Sequence, residues 1–200
     1  ATVTASDGTN SATQAITVNV INLNDNSPSF TSSATFSSAE NQTAIGTVTA
    51  TDADGDTISY SLSGTDASSM SINSSSGVLT FNSAPDYETK TSYTATVTAS
   101  DGTNSSTQAI TVNITNVDEP PVFTSSATFS AAENQTSIGT VTATDEDGDT
   151  LSYSLSGTDA SSMSINSSSG VLTFNSAPNY ETKSSLSLIH ISEPTRRYFI

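Results

Sequence analysis

Residues 28–92 of this 200-residue chain recur almost unchanged as residues 121–185; the offset is 93, and seven of the 65 positions differ. Near-identical segments at a fixed period fold alike, so each copy is one structural unit. A period in the low nineties is too long for helical solenoids and close to the roughly 100 residues of a seven-stranded β-sandwich. Residues 1–20 match residues 95–114 at an offset of 94, which makes the beginning of the chain the end of a further repeat. The expected organisation is therefore the closing strands and linker of a preceding repeat over 1–26, a complete repeat over 27–119, a shortened repeat over 120–185 and a non-repeat tail over 186–200.

Composition narrows the fold class. Ser and Thr fill 74 of the 200 positions, a bias that strands tolerate and helices do not. With 33% hydrophobic and 6% aromatic residues, small repeated cores are expected rather than one large one. Runs of alternating β-branched and apolar residues, separated by Gly, Asn, Asp and Ser, predict strands at Thr35–Ala39, Ile45–Thr51, Thr57–Leu62, Met70–Asn73, Val78–Phe81, Tyr93–Ser100 and Thr107–Thr115. The fold class is all-β, with tandem seven-stranded Greek-key sandwiches. Alternation places Val48, Ala50, Ile58, Tyr60, Leu62, Tyr93, Val97, Ala99, Ile110, Val112 and Ile114 on inward faces.

Charge and missing residue types exclude several functions. A net charge of −16 repels phosphate backbones and anionic lipid, so nucleic acid is excluded and cations are the natural partners. The absence of Cys removes disulfides, thiolate catalysis and iron–sulfur clusters. No run approaches the roughly 18 apolar residues of a membrane span. Ala1 opens mid-strand without a leader, as in an internal piece of a longer protein.

The carboxylates are not spread evenly. They fall at strand ends and between repeats, as AEN (39–41), DADGD (52–56), DYE (86–88), SDG (100–102) and NDN (24–26). Like charges at 4 Å cost about 1 kcal/mol in water and several times that near protein. Lys and Arg number 4 against 20 Asp and Glu, so another cation must neutralise them. A cage of carboxylate and carbonyl oxygens suits Ca²⁺ better than Mg²⁺, which keeps its waters. Turn formation and a solvated acidic surface explain DGD and SDG. They do not explain Glu40 and Glu88, poor turn residues that recur as Glu133 and Glu181. Asp66 and Asp159, in GTDASS loops outside every motif, are read as turn residues.

The order xEN, AxDxDxG, DYE, AxDG and NxNDNxP resembles the extracellular cadherin repeat, an immunoglobulin-like sandwich, in a Ser/Thr-rich bacterial form. The resemblance covers everything before Leu186. It implies that the motifs converge at junctions between successive repeats and hold Ca²⁺ there. Carried over, the junction after the complete repeat would use Glu40, Asp86, Glu88, Asp118, Asp145 and Asp147, and the junction before it Asn24, Asp25, Asn26, Asp52, Asp54 and Asp101. The second copy departs from the pattern, and the later junction is incomplete because the Asp that should match Asp101 is replaced by the tail. The later linker, NVDEPPVF, is one residue shorter and places Val117 before Asp118; separately, Asp86 becomes Asn179 in the second copy, which keeps an oxygen but loses a charge.

The resemblance further implies calcium-stiffened repeats of an extracellular, membrane-anchored or secreted bacterial surface adhesin. The implied partners are calcium, the adjacent repeats and, in homophilic adhesion, the same protein on another cell. A passive spacer stalk displaying a distant ligand-binding domain is the alternative. The chain has no Trp for strand-exchange anchoring. No enzyme is expected, because Asp86 and Glu88 have no cleft, His or nucleophile to work with. From Leu186 the sequence SLSLIHISEPTRRYFI leaves the repeat; it carries the only His, His190, and both Arg, Arg196 and Arg197. LSLIHISEPTRR resembles translated sequencing-adapter DNA, so this tail is expected to be artefactual and His190 no catalyst.

Overall fold

The computed structural model describes residues 1–186; the readings made of His190, Arg196 and Arg197, and of nearly all the tail, lie outside the described residues. The chain forms two compact units, Ala1–Thr115 and one beginning at Asn116. Strands of the first are β1 (Thr2–Ser6), β2 (Ser11–Ala15), β3 (Ser29–Phe30), β4 (Thr35–Ala39), β5 (Ala44–Thr47), β6 (Ala50–Thr51), β7 (Ser59–Ser63), β8 (Met70–Ile72), β9 (Val78–Phe81), β10 (Ser92–Ser100) and β11 (Ser105–Thr115). No α-helix occurs among the described residues; the Ala67–Ser69 and Ala160–Ser162 turns are 3₁₀. The all-β expectation holds.

One sheet runs in the order β4-β11-β10-β7, with β4 parallel to β11 and the other pairs antiparallel. The second runs β5-β9-β8, beside the short pair β3-β6. Period-two alternation does the packing. Val48, Tyr60, Val97, Ala99, Ile110, Val112 and Ile114 are buried together with Met70, Leu79, Phe81 and Ala95, while Ala50, Ile58, Leu62 and Tyr93 pack half-buried against them. The Phe81 and Tyr93 rings meet edge to face, centroids 4.9 Å apart, a geometry that puts ring edges against ring faces.

The run foreseen as one strand over Ile45–Thr51 is broken at Val48 and Thr49. Its first half pairs with β9 and its second with β3. Between them the Val48 amide donates to the Gly77 carbonyl (2.9 Å) and the Ala50 amide to the Tyr60 hydroxyl (2.9 Å). The strand changes sheets here, which alternation alone does not reveal. β3 was not foreseen either; two residues after the fully buried Pro28 are too short to show a period.

β1 and β2 form a hairpin whose residues are all exposed. In the second unit the strands are β12 (Val122–Phe123), β13 (Ser137–Thr140), β14 (Ala143–Thr144), β15 (Met163–Ile165) and β16 (Val171–Phe174). They reproduce the β5-β9-β8 sheet as β13-β16-β15 around Val141, Met163 and Leu172. The four-stranded sheet has no counterpart among the described residues.

Gly77 is the tightest backbone contact of the first unit. Its φ is +70°, and a Cβ would lie 2.1 Å from the Val48 carbonyl oxygen. Gly77→Ala combines left-handed strain with displacement of Val48, and is expected to destabilise the unit by about 2–4 kcal/mol. Hydrogen exchange followed by mass spectrometry checks this: β5 and β9 amides should lose protection, and unchanged protection would contradict the contact.

Candidate metal centres

The first centre is built by the β6–β7 loop. Gly55, at φ +81°, lets residues 52–56 wrap back on Asp52. Asp52 Oδ1 accepts the amides of Asp54 (2.9 Å) and Asp56 (3.4 Å), and carboxylate oxygens of Asp52, Asp54 and Asp56 all lie within 4.8 Å of one another. The β10–β11 turn supplies Asp101, whose Oδ1 accepts the amides of Thr103 (2.7 Å) and Asn104 (2.6 Å). The linker closes over both. Asp54 Oδ2 accepts the amides of Asp25 (3.1 Å) and Asn26 (2.9 Å), and the Asn26 side-chain amide donates to Asp54 Oδ1 at 3.0 Å. The Asn104 amide donates to Asn24 Oδ1 (3.0 Å) and to the Asn26 carbonyl (3.2 Å). Asn24, Asp25, Asn26, Asp52, Asp54 and Asp101 are thus gathered in one place.

Electrostatics here favour ionised oxygens. The Asn26 amide holds the Asp54 carboxyl below the usual aspartate value, against the nearby negative charge of Asp101. The Asn104 amide does the same for Asp101. Asp52 and Asp101 each use Oδ1 to fix a turn, while Oδ2 is buried with no hydrogen-bond partner. A buried carboxylate oxygen without a donor is costly. A hard cation with several oxygen ligands answers that need, so the donor set fits Ca²⁺.

The second group stands at the end of β4. Glu40 is buried and its Oε2 accepts the Tyr87 amide at 2.7 Å. Asn41 follows in the left-handed region at φ 60°, which Asn tolerates better than most residues, and this turns the chain around the Glu. Asp86 accepts the Thr89 amide and hydroxyl, both at 2.9 Å. Oxygens of Glu40, Asp86 and Glu88 lie within 4.8 Å of one another.

In the second unit Asp145 repeats the arrangement of Asp52: Oδ1 accepts the Asp149 amide (3.0 Å) and Oδ2 is buried without a partner. Asp147 accepts the Asn116 side-chain amide (2.7 Å) and the Glu119 backbone amide (3.0 Å). Asp118 precedes Glu119 in the same linker. Five residues of these centres were missed from sequence: Asp56, Asn104, Asn116, Glu119 and Asp149. Asp56 was visible in DADGD. Glu119 appears when the second linker is counted back from Pro121, which puts it in the place of Asn26; its backbone amide donates to Asp147 Oδ2 as that of Asn26 donates to Asp54 Oδ2. Asn104 gave no signal, because its role lies in reaching a linker nearly 80 residues earlier.

Both lysines are committed elsewhere. Lys90 pairs with Asp66 and stacks 4.5 Å from the Tyr93 ring centroid, and Lys183 pairs with Asp159. The Lys90 bond lowers the Asp66 carboxyl below its usual value. Asp66 and Asp159 are therefore ion-pair residues as well as turn residues.

A family model for the cadherin domain matches residues 32–115. The chain carries a cadherin repeat. Mouse cadherin EGF LAG seven-pass G-type receptor 1 is 35% identical over 150 residues, covering 68% of this chain and 5% of the receptor. Danio rerio cadherin-related family member 1a is 31% identical over 203 residues, covering 88% of this chain and 24% of the relative. The chain thus spans a small part of the curated relatives it matches. Among solved structures, mouse cadherin-23 EC22–24 is similar at 30% identity, with a TM-score of 0.51, over 90% of this chain and 64% of that one. Mouse protocadherin-24 EC1–3 is similar at 27% identity, with a TM-score of 0.52, over 90% and 67%. Cadherin repeats are adhesion-type structural modules, and this chain is not an enzyme. No helix among the described residues is long and apolar enough to cross a membrane.

Because the folded Asp54 and Asp101 values lie below the ordinary 3.8, the stability these groups add is present above that value and is lost as pH falls through the lower folded ones. Carboxyl carbon NMR should find both titrating below ordinary aspartates, with Asn26→Ala moving Asp54 part of the way back. Ordinary midpoints for both in the wild-type chain would contradict the hydrogen-bond assignment.

Proposed function

We propose that the acidic centres bind Ca²⁺ and that the bound ions stiffen the joints between successive repeats, making an extracellular stalk that supports cell adhesion. The observation that carries this is the division of labour within the aspartates. Asp52, Asp101 and Asp145 each spend one oxygen on a turn and keep the other buried without a hydrogen-bond partner. A turn former in a solvated surface has no reason to bury its second oxygen. The linker 24–26 lies on the same loops through Asp54 and Asn104, so an ion held there would tie linker to repeat. Glu40, Asp86 and Glu88 offer a further set of donors, and Asp118, Asp145 and Asp147 another.

In this reading the residues do the positioning and the cation supplies positive charge that the chain itself lacks. Without it the carboxylates repel and the linker loosens. The parent protein is a cell-surface adhesin whose repeats work where free calcium is near the millimolar dissociation constants of extracellular modules, and its adhesive partners include the same protein on another cell.

The test is a thermal melt of the full chain in excess Ca²⁺ and in chelator. A native-state ligand at 100 times its dissociation constant adds about 2.7 kcal/mol, a rise on the order of 10 °C for a unit of this size. The rise should shrink in Asp52→Asn/Asp101→Asn, which leaves the other two donor sets in place, and persist in full in Asp66→Asn, whose carboxyl serves Lys90. Equal midpoints in calcium and chelator would reduce the centres to turns and surface charge.

A further inference from the structure

Two Asp–Gly dipeptides meet at the first acidic centre, Asp54–Gly55 in the β6–β7 loop and Asp101–Gly102 in the β10–β11 turn. This dipeptide carries a reaction of its own. Glycine has no side chain to shield its nitrogen, which can attack the carboxyl carbon of the aspartate before it. The five-membered ring closes where that carboxyl is free to swing toward the main chain, and hydrogen bonds that pin the carboxyl hold the reaction back. At both glycines φ is positive, +81° and +95°, and a Cβ would meet nothing within 4 Å, so space is open at each.

What differs is the source of the restraint. Asp101 is held by its own turn: Oδ1 accepts the Thr103 and Asn104 backbone amides, and the Gly102 amide donates to Ser100 Oγ at 3.1 Å. These bonds last as long as the hairpin, which is paired along the whole of β10. The Asp54 carboxylate is held from the linker, 28 and 29 residues earlier, by the Asp25 and Asn26 backbone amides and the Asn26 side-chain amide. The Gly55 amide makes a long bond to the Asp52 carbonyl, 3.3 Å. The linker is in turn tied down by the Asn104 side-chain amide, which donates to Asn24 Oδ1 and the Asn26 carbonyl. An exposed linker held by such bonds opens at a lower free energy than a hairpin inside a four-stranded sheet. The arrangement recurs at Asp147–Gly148, whose carboxylate accepts the Asn116 side-chain amide and the Glu119 backbone amide.

We propose that Asp54–Gly55 is a site of self-modification, at which opening of the 24–26 linker lets Asp54 convert to isoaspartate and the conversion then keeps the linker off the loop. In the first step the Gly55 nitrogen bonds to Asp54 Cγ, and the amide hydrogen leaves with the carboxyl OH as water, giving a cyclic imide. Water then adds to one of the two imide carbonyls. Breaking the new N–Cγ bond restores Asp54; breaking the original peptide bond leaves the main chain running through Cγ. One water is lost and one gained, the proton taken from solvent at ring closure is returned when the product carboxyl ionises, and nothing is oxidised or reduced. The product has one more carbon in its main chain and one fewer in its side chain. The carboxylate is thereby withdrawn from the Asp25 and Asn26 amides, and the Gly55 and Asp56 amides shift away from Asp52. The reaction needs water and an open linker but no cation, so it stands or falls separately from the calcium reading.

The test incubates the full chain in chelator at neutral pH and maps isoaspartate by electron-transfer fragmentation of its peptides, which tells the two isomers apart at equal mass. Isoaspartate should form at residue 54 on the order of ten times faster than at residue 101. Asn104→Ala removes the tie on the linker but keeps the backbone amide that holds Asp101, so it should speed residue 54 about fivefold and leave residue 101 unchanged. Asn26→Ala, which removes a donor to Asp54 itself, should act in the same direction. In the converted fraction the Asp25 and Asn26 amides should exchange with solvent faster than in the unconverted chain. The proposal is overturned by an absence of isoaspartate at residue 54, by equal rates at residues 54 and 101, or by an Asn104→Ala chain that converts residue 54 no faster or both residues faster. Unchanged protection of the linker amides after conversion would overturn it as well.

Discussion

The pairing of β10 with β11, and of that hairpin with β7 on one side and β4 on the other, is the constraint on which the complete repeat depends. It buries Val97, Ala99, Ile110, Val112 and Ile114 in one stroke, roughly 1–3 kcal/mol per larger aliphatic side chain. It also sets the chemistry at both ends of the sandwich. The hairpin turn carries Asp101 and Asn104 to the Asp52–Asp56 loop and the linker. At the other end, the Thr115 carbonyl receives the Glu40 amide and positions the buried Glu beside Asp86 and Glu88. Acidic centres at opposite ends of one sheet are what a string of repeats needs if each end is to meet a neighbour.

At Asp52, Asp101 and Asp145 one carboxylate oxygen is structural and its twin is left without a donor. Oδ1 of Asp52, Asp101 and Asp145 satisfies turn amides, which makes the loop rigid enough to hold Oδ2 out of water. Those same amides lower the Asp101 carboxyl and keep it charged. Preorganisation therefore comes from local backbone hydrogen bonds and not from an ion pair; the lysines serve Asp66 and Asp159 instead. An acidic centre neutralised by a lysine would be finished. One held open by amides still lacks a positive partner.

Much of this was legible in the sequence, for a physical reason. Strands with one face buried alternate, so Val97, Ile110 and Val112 announce themselves, and a 93-residue recurrence separates motif from accident. Val78–Phe81 and Thr35–Ala39 fall where expected. What alternation cannot show is a change of partner: the break at Val48 and Thr49 arises because Gly77 and Tyr60 come from far along the chain to take the Val48 and Ala50 amides. The site divides in the same way. Aspartates in DxDxD patterns are visible as donors, whereas Asn104 matters only through the distant linker, and Glu119 acts through its backbone amide, which its side chain does not announce.

The two copies of the hairpin show where local reading ends. Val18 and Val112 share nearly all their sequence neighbours, yet one is 79% exposed and the other fully buried. Alternation specifies which face is apolar; it does not specify what will cover it. In the complete repeat β7 and β4 cover it; at residues 1–20 nothing among the described residues does. In the second unit the same alternation buries Val141 and Leu172 beside Met163.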